Sequence, residues 1–328
     1  MGASFRSWAP PFVGLSDAER EALLAMGPRW AEDINRHREQ VVAIYTPHHA
    51  AASKDGVRVD AALAYGDHPR QCLDIYRLDD AQGAPPSPVV VFVHGGAFMR
   101  GNMNSNAEIY SNVTRYIAQQ GYVAVNLEYR LAPEAAYPAG SEDVALALAW
   151  LRANAGRFGG NPRHIVLVGH SAGGAHAASY VLDPALEAAR RVGSGRSDGS
   201  DVAGPESGLS GLVLISARLR ADVLPGNPNA AGVRAYWGDD ASRYETLSPC
   251  THTARLDVPA LVAIAEFENP YLDTYGEEFH DRAQAAAAAC TLLRVPGHNH
   301  TSVVAHLGTQ DRCFGPALID FLDSTRPT

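Results

Sequence analysis

An apolar, mostly β-branched run ending at Val168 passes directly into Gly169-His170-Ser171-Ala172-Gly173, and Ala- and Ser-rich sequence follows. The run reads as a buried strand and the sequence after Gly174 as a helix. A strand that reverses into a helix within about five residues is forced into a strained turn at its middle residue. Glycines two before and two after Ser171 allow neighbouring backbone to pass without a Cβ clash. The turn lifts Ser171 clear of the sheet, near the positive end of the following helix. Few folds place a hydroxyl that way, and Ser171 is therefore the candidate nucleophile.

The rest of the chain reads as a doubly wound sheet around that turn. Val89 to Val93 is apolar at every residue, as a central parallel strand should be. Helix 106–120, strand 122–128, helix 139–155 and strand 164–168 alternate up to Ser171, and helix 172–190 follows. Strand 209–216, a loop-rich stretch 217–255 with a short helix near 230–237, strand 258–265, helix 270–289, strand 291–295 and helix 314–322 complete the pattern. Alternation at 57–63 and 73–76 adds two strands before the central one, giving a mostly parallel sheet of eight. Residues 1–50 form an N-terminal helical cap segment, with a capping box at Ser16-Asp17-Ala18-Glu19 and a second helix from Trp30 to Tyr45. That segment either packs on the main domain, residues 51–328, or acts as a lid. Residues 192–208, rich in Gly, Ser and Asp, read as a surface loop, and 83–88 as a Pro-rich one.

Composition removes several classes. Twenty-seven Lys and Arg against 36 Asp and Glu give a net charge of −9, which disfavours nucleic acid and anionic membranes as partners. No apolar run approaches the ~18 residues of a membrane span, and no basic n-region precedes an apolar one, so a cytoplasmic protein is expected. Lys54 is the sole lysine, which excludes a phosphate-binding G-x-x-x-x-G-K-[ST] loop and leaves pyridoxal chemistry one poorly placed candidate. The four cysteines are scattered, without C-x-x-C.

Acyl transfer needs donors where negative charge develops on the carbonyl oxygen. His94-Gly95-Gly96-Ala97-Phe98 stands at the end of the first central strand, where a Gly-Gly turn can aim N–H groups into the crevice. Gly96 and Ala97 are the first candidates, Gly95 the next, and the N–H of Ala172 adds another. The general base is expected after the last strand, where Pro296-Gly297-His298-Asn299-His300 offers two imidazoles. His300 is preferred because it lies nearer the next helix. His-x-His is also a metal-ligand spacing, but His48-His49 and His306 fall elsewhere in the sequence, and neither a metal nor a cofactor is expected.

These motifs, with Tyr129-Arg130-Leu131-Ala132-Pro133-Glu134 and Ser248-Pro249, resemble the hormone-sensitive-lipase-like group of α/β-hydrolases, with features of the arylformamidase (kynurenine formamidase) branch. The resemblance spans residues 89–303. It implies the α/β-hydrolase fold, a serine hydrolase working through a Ser-His-acid triad, a structural bracing role for Arg130 and Glu134, and compatibility with a homodimer. His170 stands where the lipase-like group usually has Asp and matches the formamidase-like form. The expected substrate is a small-molecule carboxylic ester, with an N-formyl or other activated amide as the alternative. A non-catalytic binding protein on the same fold is disfavoured because both nucleophile and base are present. The acid is the open position. Lipase-like relatives often carry Asp directly before the proline at 270, and here that residue is Asn269, the natural N-cap of a helix starting at Pro270. Glu268, in the loop beyond the strand and with an acid-x-Pro spacing like the formamidase pattern, is preferred over Asp273, explained by the helix dipole, and Glu266, still in the strand.

Overall fold

The computed structural model describes residues 9–79, 85–195 and 205–326. Eight strands form one sheet: β1 (Val57–Ala64), β2 (Cys72–Leu78), β3 (Ser87–Val93), β4 (Val123–Leu127), β5 (Gly160–His170), β6 (Gly211–Ile215), β7 (Ala260–Phe267) and β8 (Cys290–Asn299). Their order is β1-β2-β4-β3-β5-β6-β7-β8. β2 runs antiparallel to both β1 and β4, and every pairing from β4 through β8 is parallel. Eleven α-helices are described: α1 (Asp17–Met26), α2 (Ile34–Ala51), α3 (Ser111–Gln119), α4 (Ala139–Asn154), α5 (Ala172–Leu182), α6 (Glu187–Ser194), α7 (Ala230–Trp237), α8 (Tyr244–Leu247), α9 (Leu272–Ala285), α10 (Ser302–Ala305) and α11 (Gly315–Ser324). This is the doubly wound, mostly parallel eight-stranded α/β-hydrolase architecture expected from the sequence.

The central strand shows why a run without alternation is required. Val89, Val91 and Val93 pack with residues of α4, α5 and α9, whereas Val90 and Phe92 pack with residues of α3 and α11. Both faces are covered, so both must be apolar. Among the described residues no helix is long and apolar enough to cross a membrane.

Several helix limits differ from the sequence pattern, each for a local reason. The segment expected as helix 106–120 is helical only from Ser111, because the Asn106 side chain takes the N–H groups of Glu108 and Ile109, both at 2.8 Å, and Tyr110 adopts φ +74°. The expected helix 172–190 breaks at Asp183, which is extended before Pro184, as the proline ring requires, and caps Ala185 N–H at 2.9 Å. The second helix begins at Ile34, capped by Asp33, and runs to Ala51; Trp30 lies in the preceding 3₁₀ turn, Gly27–Glu32. The last strand extends to Asn299 rather than stopping at 295. Parts of the two expected loops, residues 83–84 and 196–204, lie outside the described residues.

The N-terminal segment is packed onto the sheet domain. Phe12, Leu23, Trp30, Val41 and Tyr45 form one buried cluster with Ile109 and Ala305. His49 Nε2 reaches the Ala305 carbonyl at 2.6 Å, and the Phe12 N–H donates to Asp311.

Candidate active site

The C-terminal ends of β3, β5, β7 and β8 converge on one crevice, the edge where parallel α/β sheets gather functional groups. Ser171 follows β5 with φ 54° and ψ −118°, a conformation L-residues avoid. It is held by its N–H to Ile215 O at 3.0 Å and by Arg218 N–H to its own carbonyl at 3.0 Å. Close packing makes the turn possible: a Cβ on Gly173 would lie 2.2 Å from Val93 O.

Ser171 Oγ lies 3.1 Å from His300 Nε2, and His300 Nδ1 lies 2.8 Å from Glu268 Oε2. A carboxylate only accepts, so Nδ1 carries the hydrogen and Nε2 presents its lone pair to the serine hydroxyl. Glu268 is fixed in turn by Ala265 N–H at 2.9 Å, Asn269 N–H at 3.3 Å and the Ser216 hydroxyl. Of the other acid candidates, Glu266 is exposed and receives Gly297 N–H at 2.6 Å, and Asp273 caps Thr274 at 2.8 Å. Neither reaches His300. Asn269 does not cap the helix, which starts at Leu272 after Tyr271 at φ +73°. Its side chain instead receives the Trp30 Nε1–H at 2.8 Å, across 239 positions of sequence.

Gly96, Ala97 and Ser171 line the same crevice. Gly96 takes φ +152°, and a Cβ there would meet Arg100 O at 1.7 Å, so only glycine allows the loop to fold back. Ala97 is also strained, at φ +51°. The Gly95 N–H faces the Tyr110 hydroxyl, while no acceptor within the chain takes the N–H of Gly96, Ala97 or Ala172 among the described residues. His94 holds this loop through Gly95 O at 2.6 Å and Glu128 Oε1 at 3.1 Å. Burial pushes the Glu128 carboxyl up, but hydrogen bonds from His94 and Met103 N–H and the Arg70 charge outweigh it and hold the group below its ordinary value. Glu128 thus braces the loop, whereas Arg130 pairs with Asp143 of α4 and Glu134 is exposed.

A second chain of contacts joins the glycine loop to the base. His170 Nε2 lies 3.0 Å from the His300 carbonyl, which only accepts, so Nε2 carries the hydrogen. Its Nδ1 faces the Tyr110 hydroxyl at 3.4 Å. Desolvation by burial, with the nearby His300, pushes the His170 imidazole down to about 3, and it stays neutral. Tyr110, His170 and Ser216 were not singled out from the sequence for these roles. The substitution of His170 for the usual Asp was the one available signal.

His298 does not enter the crevice. It is fully buried, stacked on His306 at 4.1 Å between ring centres, with Nε2 3.2 Å from Asp311 Oδ2. The fold therefore gathers His298, His306 and Asp311, whose ligand atoms lie within 4.8 Å of one another. The expectation that no partner ligands fall near the His-x-His pair is corrected: the α10 turn folds His306 back over His298. Tyr236 and Trp237 pack behind the glycine loop against Phe98, with ring centres 4.7 Å away.

The sheet order and the arrangement of strand ends are those of the α/β-hydrolase fold. Residues 73–189 match the BD-FAE family. Esterase LipC of Mycobacterium tuberculosis is 39% identical over 135 residues, covering 40% of this chain and 32% of that protein. Esterase LipQ of the same organism is 26% identical over 264 residues, covering 79% of this chain and 61% of that one. The chain thus spans about a third of LipC and three fifths of LipQ. Among solved structures, esterase B from Lactobacillus rhamnosis matches with TM-score 0.68 at 20% identity, covering 94% of this chain and 96% of that chain. A bacterial heroin esterase gives TM-score 0.68 at 24% identity, with 95% and 98% covered.

Proposed function

We propose that the chain hydrolyses small carboxylic esters by an acyl-enzyme route. The observation that carries this reading is the unbroken line Ser171 Oγ, His300 and Glu268, with contacts of 3.1 and 2.8 Å, beside the unbonded N–H groups of Gly96, Ala97 and Ala172. Ser171 attacks the ester carbonyl as its proton moves to His300 Nε2. Glu268 holds the imidazole in the required tautomer and offsets the imidazolium charge. Gly96, Ala97 and Ala172 donate to the oxygen that becomes negative, with Gly95 shaping the loop. The alcohol leaves with the proton from His300, and water, deprotonated by the same group, releases the acid. The esterase names of LipC and LipQ support the ester bond as target. No cofactor is required by this scheme.

The test is labelling by a fluorophosphonate, followed by turnover of p-nitrophenyl esters of increasing acyl length beside an N-formyl arylamine. Labelling at Ser171 with ester turnover is expected. Turnover of the formyl amide in preference to every ester would shift the assignment to an amidase, and an unlabelled, inactive chain would overturn the hydrolase reading.

A further inference from the structure

The crevice wall opposite Ser171 carries charge that the hydrolase chemistry does not use. It is formed by the N-terminal segment, where Trp30, Ile34, Arg38 and Val42 face the cavity at four-residue spacing. Arg100 enters from the far end of the glycine loop and is anchored through its N–H to Gly96 O at 3.0 Å. In a chain of net charge −9 the crevice lining contains these two guanidinium groups and no acidic side chain. Four of the other arginines with buried or half-buried side chains are matched by acids: Arg70 to Glu128, Arg130 to Asp143, Arg218 to Asp222 and Arg220 to Glu278. For Arg38 and Arg100 no side-chain hydrogen bond or ion pair is formed among the described residues; partial burial, with the Arg38 charge, lowers the Arg100 guanidinium from its ordinary value. Both guanidinium groups line one crevice, Arg38 half-buried and Arg100 exposed, and a carboxylate there offsets both charges while matching the planar donor fork.

We infer that Arg38 and Arg100 form an anion subsite, and that the preferred ester carries a carboxylate or equivalent oxyanion group beside an apolar portion. The inference rests on the hydrolase reading above. Ile34, Val42 and Trp30 take the apolar portion, and the arginines fix its charged end. Because Arg38 belongs to α2 and Arg100 to the glycine loop, a bound anion also ties the N-terminal wall to the loop that supplies the proposed oxyanion donors.

Matched ester pairs test this. p-Nitrophenyl hexanoate is compared with the mono-p-nitrophenyl ester of glutaric acid, which places the charge on the acyl side. p-Methylphenyl butyrate is compared with p-carboxyphenyl butyrate, which places it on the leaving group. In one of the two pairs kcat/KM should favour the anion by about tenfold or more, chiefly through KM, as expected for a charged hydrogen-bonded pair, and the preference should shrink with added NaCl. In the Arg38→Gln/Arg100→Gln double variant that ratio should fall towards one, while the Arg38→Lys/Arg100→Lys double variant keeps part of it. A wild-type chain that hydrolyses neutral esters but prefers neither anion, or a preference that survives the double glutamine variant, overturns the subsite and leaves the hydrolase reading standing. Absence of all turnover and of serine labelling overturns both.

Discussion

The two walls of the crevice are built on different terms. On the sheet side, Ser171 and Ala97 hold strained backbone, Gly96 takes a φ that glycine alone accepts readily, and Glu268 meets hydrogen-bond donors from Ala265, Asn269 and Ser216 as well as His300. On the N-terminal side, α2 and the turn bearing Trp30 rest on an apolar cluster and a few polar ties, such as Trp30 to Asn269 and His49 to Ala305. Strain is retained only where the surroundings over-determine it. A wall of that kind suits groups whose placement must hold within fractions of an ångström. The other wall can vary in shape and charge without disturbing the reacting atoms. Chemistry on one wall and selection on the other is the division this contrast predicts.

The sharpest way to break it is Ser171→Ala, which should lower kcat by about 10⁴-fold or more while leaving the melting temperature within about a degree or two, since the backbone strain is kept and only the hydroxyl contact to His300 is lost. Steady-state kinetics and a thermal melt on one preparation measure both. Activity within a few per cent of wild type would place the nucleophile elsewhere.

Glu268→Gln should cost about 10²- to 10⁴-fold in kcat/KM, because a neutral amide neither offsets the imidazolium nor enforces the tautomer. Glu266→Gln and Asp273→Asn, whose carboxylates cap backbone N–H groups away from His300, should stay within about threefold of wild type. Collapse in either of these with a healthy Glu268→Gln would reassign the acid.

The sheet domain should also fail first in acid. Burial pushes His170, His176 and His306 down to about 3, and in the unfolded chain each returns to about 6.5. Below that pH the unfolded chain binds more protons, so their contribution is complete above about 6.5 and is lost as pH falls towards 3. Each histidine adds up to about 1.4 kcal/mol per pH unit to the slope. Urea midpoints measured between pH 4 and 7 should fall steeply, and His176→Gln should flatten the curve; a slope unchanged by that variant counts against the assignment.

His298→Asn separates two histidines that lie two residues apart. Its loss takes from the buried Asp311 carboxylate a contact at 3.2 Å, leaving it the N–H groups of Phe12 and Cys313, and losing one partner of a buried polar group costs about 1–3 kcal/mol. The melting point should fall by several degrees while kcat of the folded enzyme stays within about tenfold. His300→Asn should do the reverse. A dead but stable His298 variant would mean that the base had been misassigned.

What could be read in the sequence follows the same division. The meeting of Ser171, His300 and Glu268 was legible because strand ends and turns are local: a strand must stop, a helix must start, and the side chains of the loops between them gather at one edge of the sheet. The eight strands and the mostly parallel sheet came from the same alternation, but their order in the sheet did not. The position of Asn269 in the loop was legible, but its partner was not, since Trp30 is 239 residues away and local propensity made Asn269 a helix cap instead. His298 was ranked below His300 by position alone, and its pairing with Asp311 and His306 depends on how a four-residue helix folds back. The paired arginines of the crevice, 62 positions apart in the numbering (38 and 100), carry no sequence motif.

The smallest expected effect probes the tie between the walls. Trp30 is 1% exposed and its indole N–H donates to Asn269, the residue whose own backbone N–H donates to Glu268. Trp30→Phe removes that donor and part of the ring, leaving the Asn269 carbonyl oxygen buried without it. A lost hydrogen bond of this kind costs about 1–2 kcal/mol, and the space left by the smaller ring adds to it. The acid remains held by Ala265 and Ser216, so kcat should move by less than about threefold. KM for long acyl chains should move more, because Trp30 lines the crevice. Plotting kcat and KM separately against acyl length for wild type and Trp30→Phe decides between two roles for this residue. A change confined to KM and to the longer esters keeps the N-terminal wall selective and no more. A uniform fall in kcat across all esters would mean that the wall positions Glu268 through Asn269, and that the two sides of the crevice act as one.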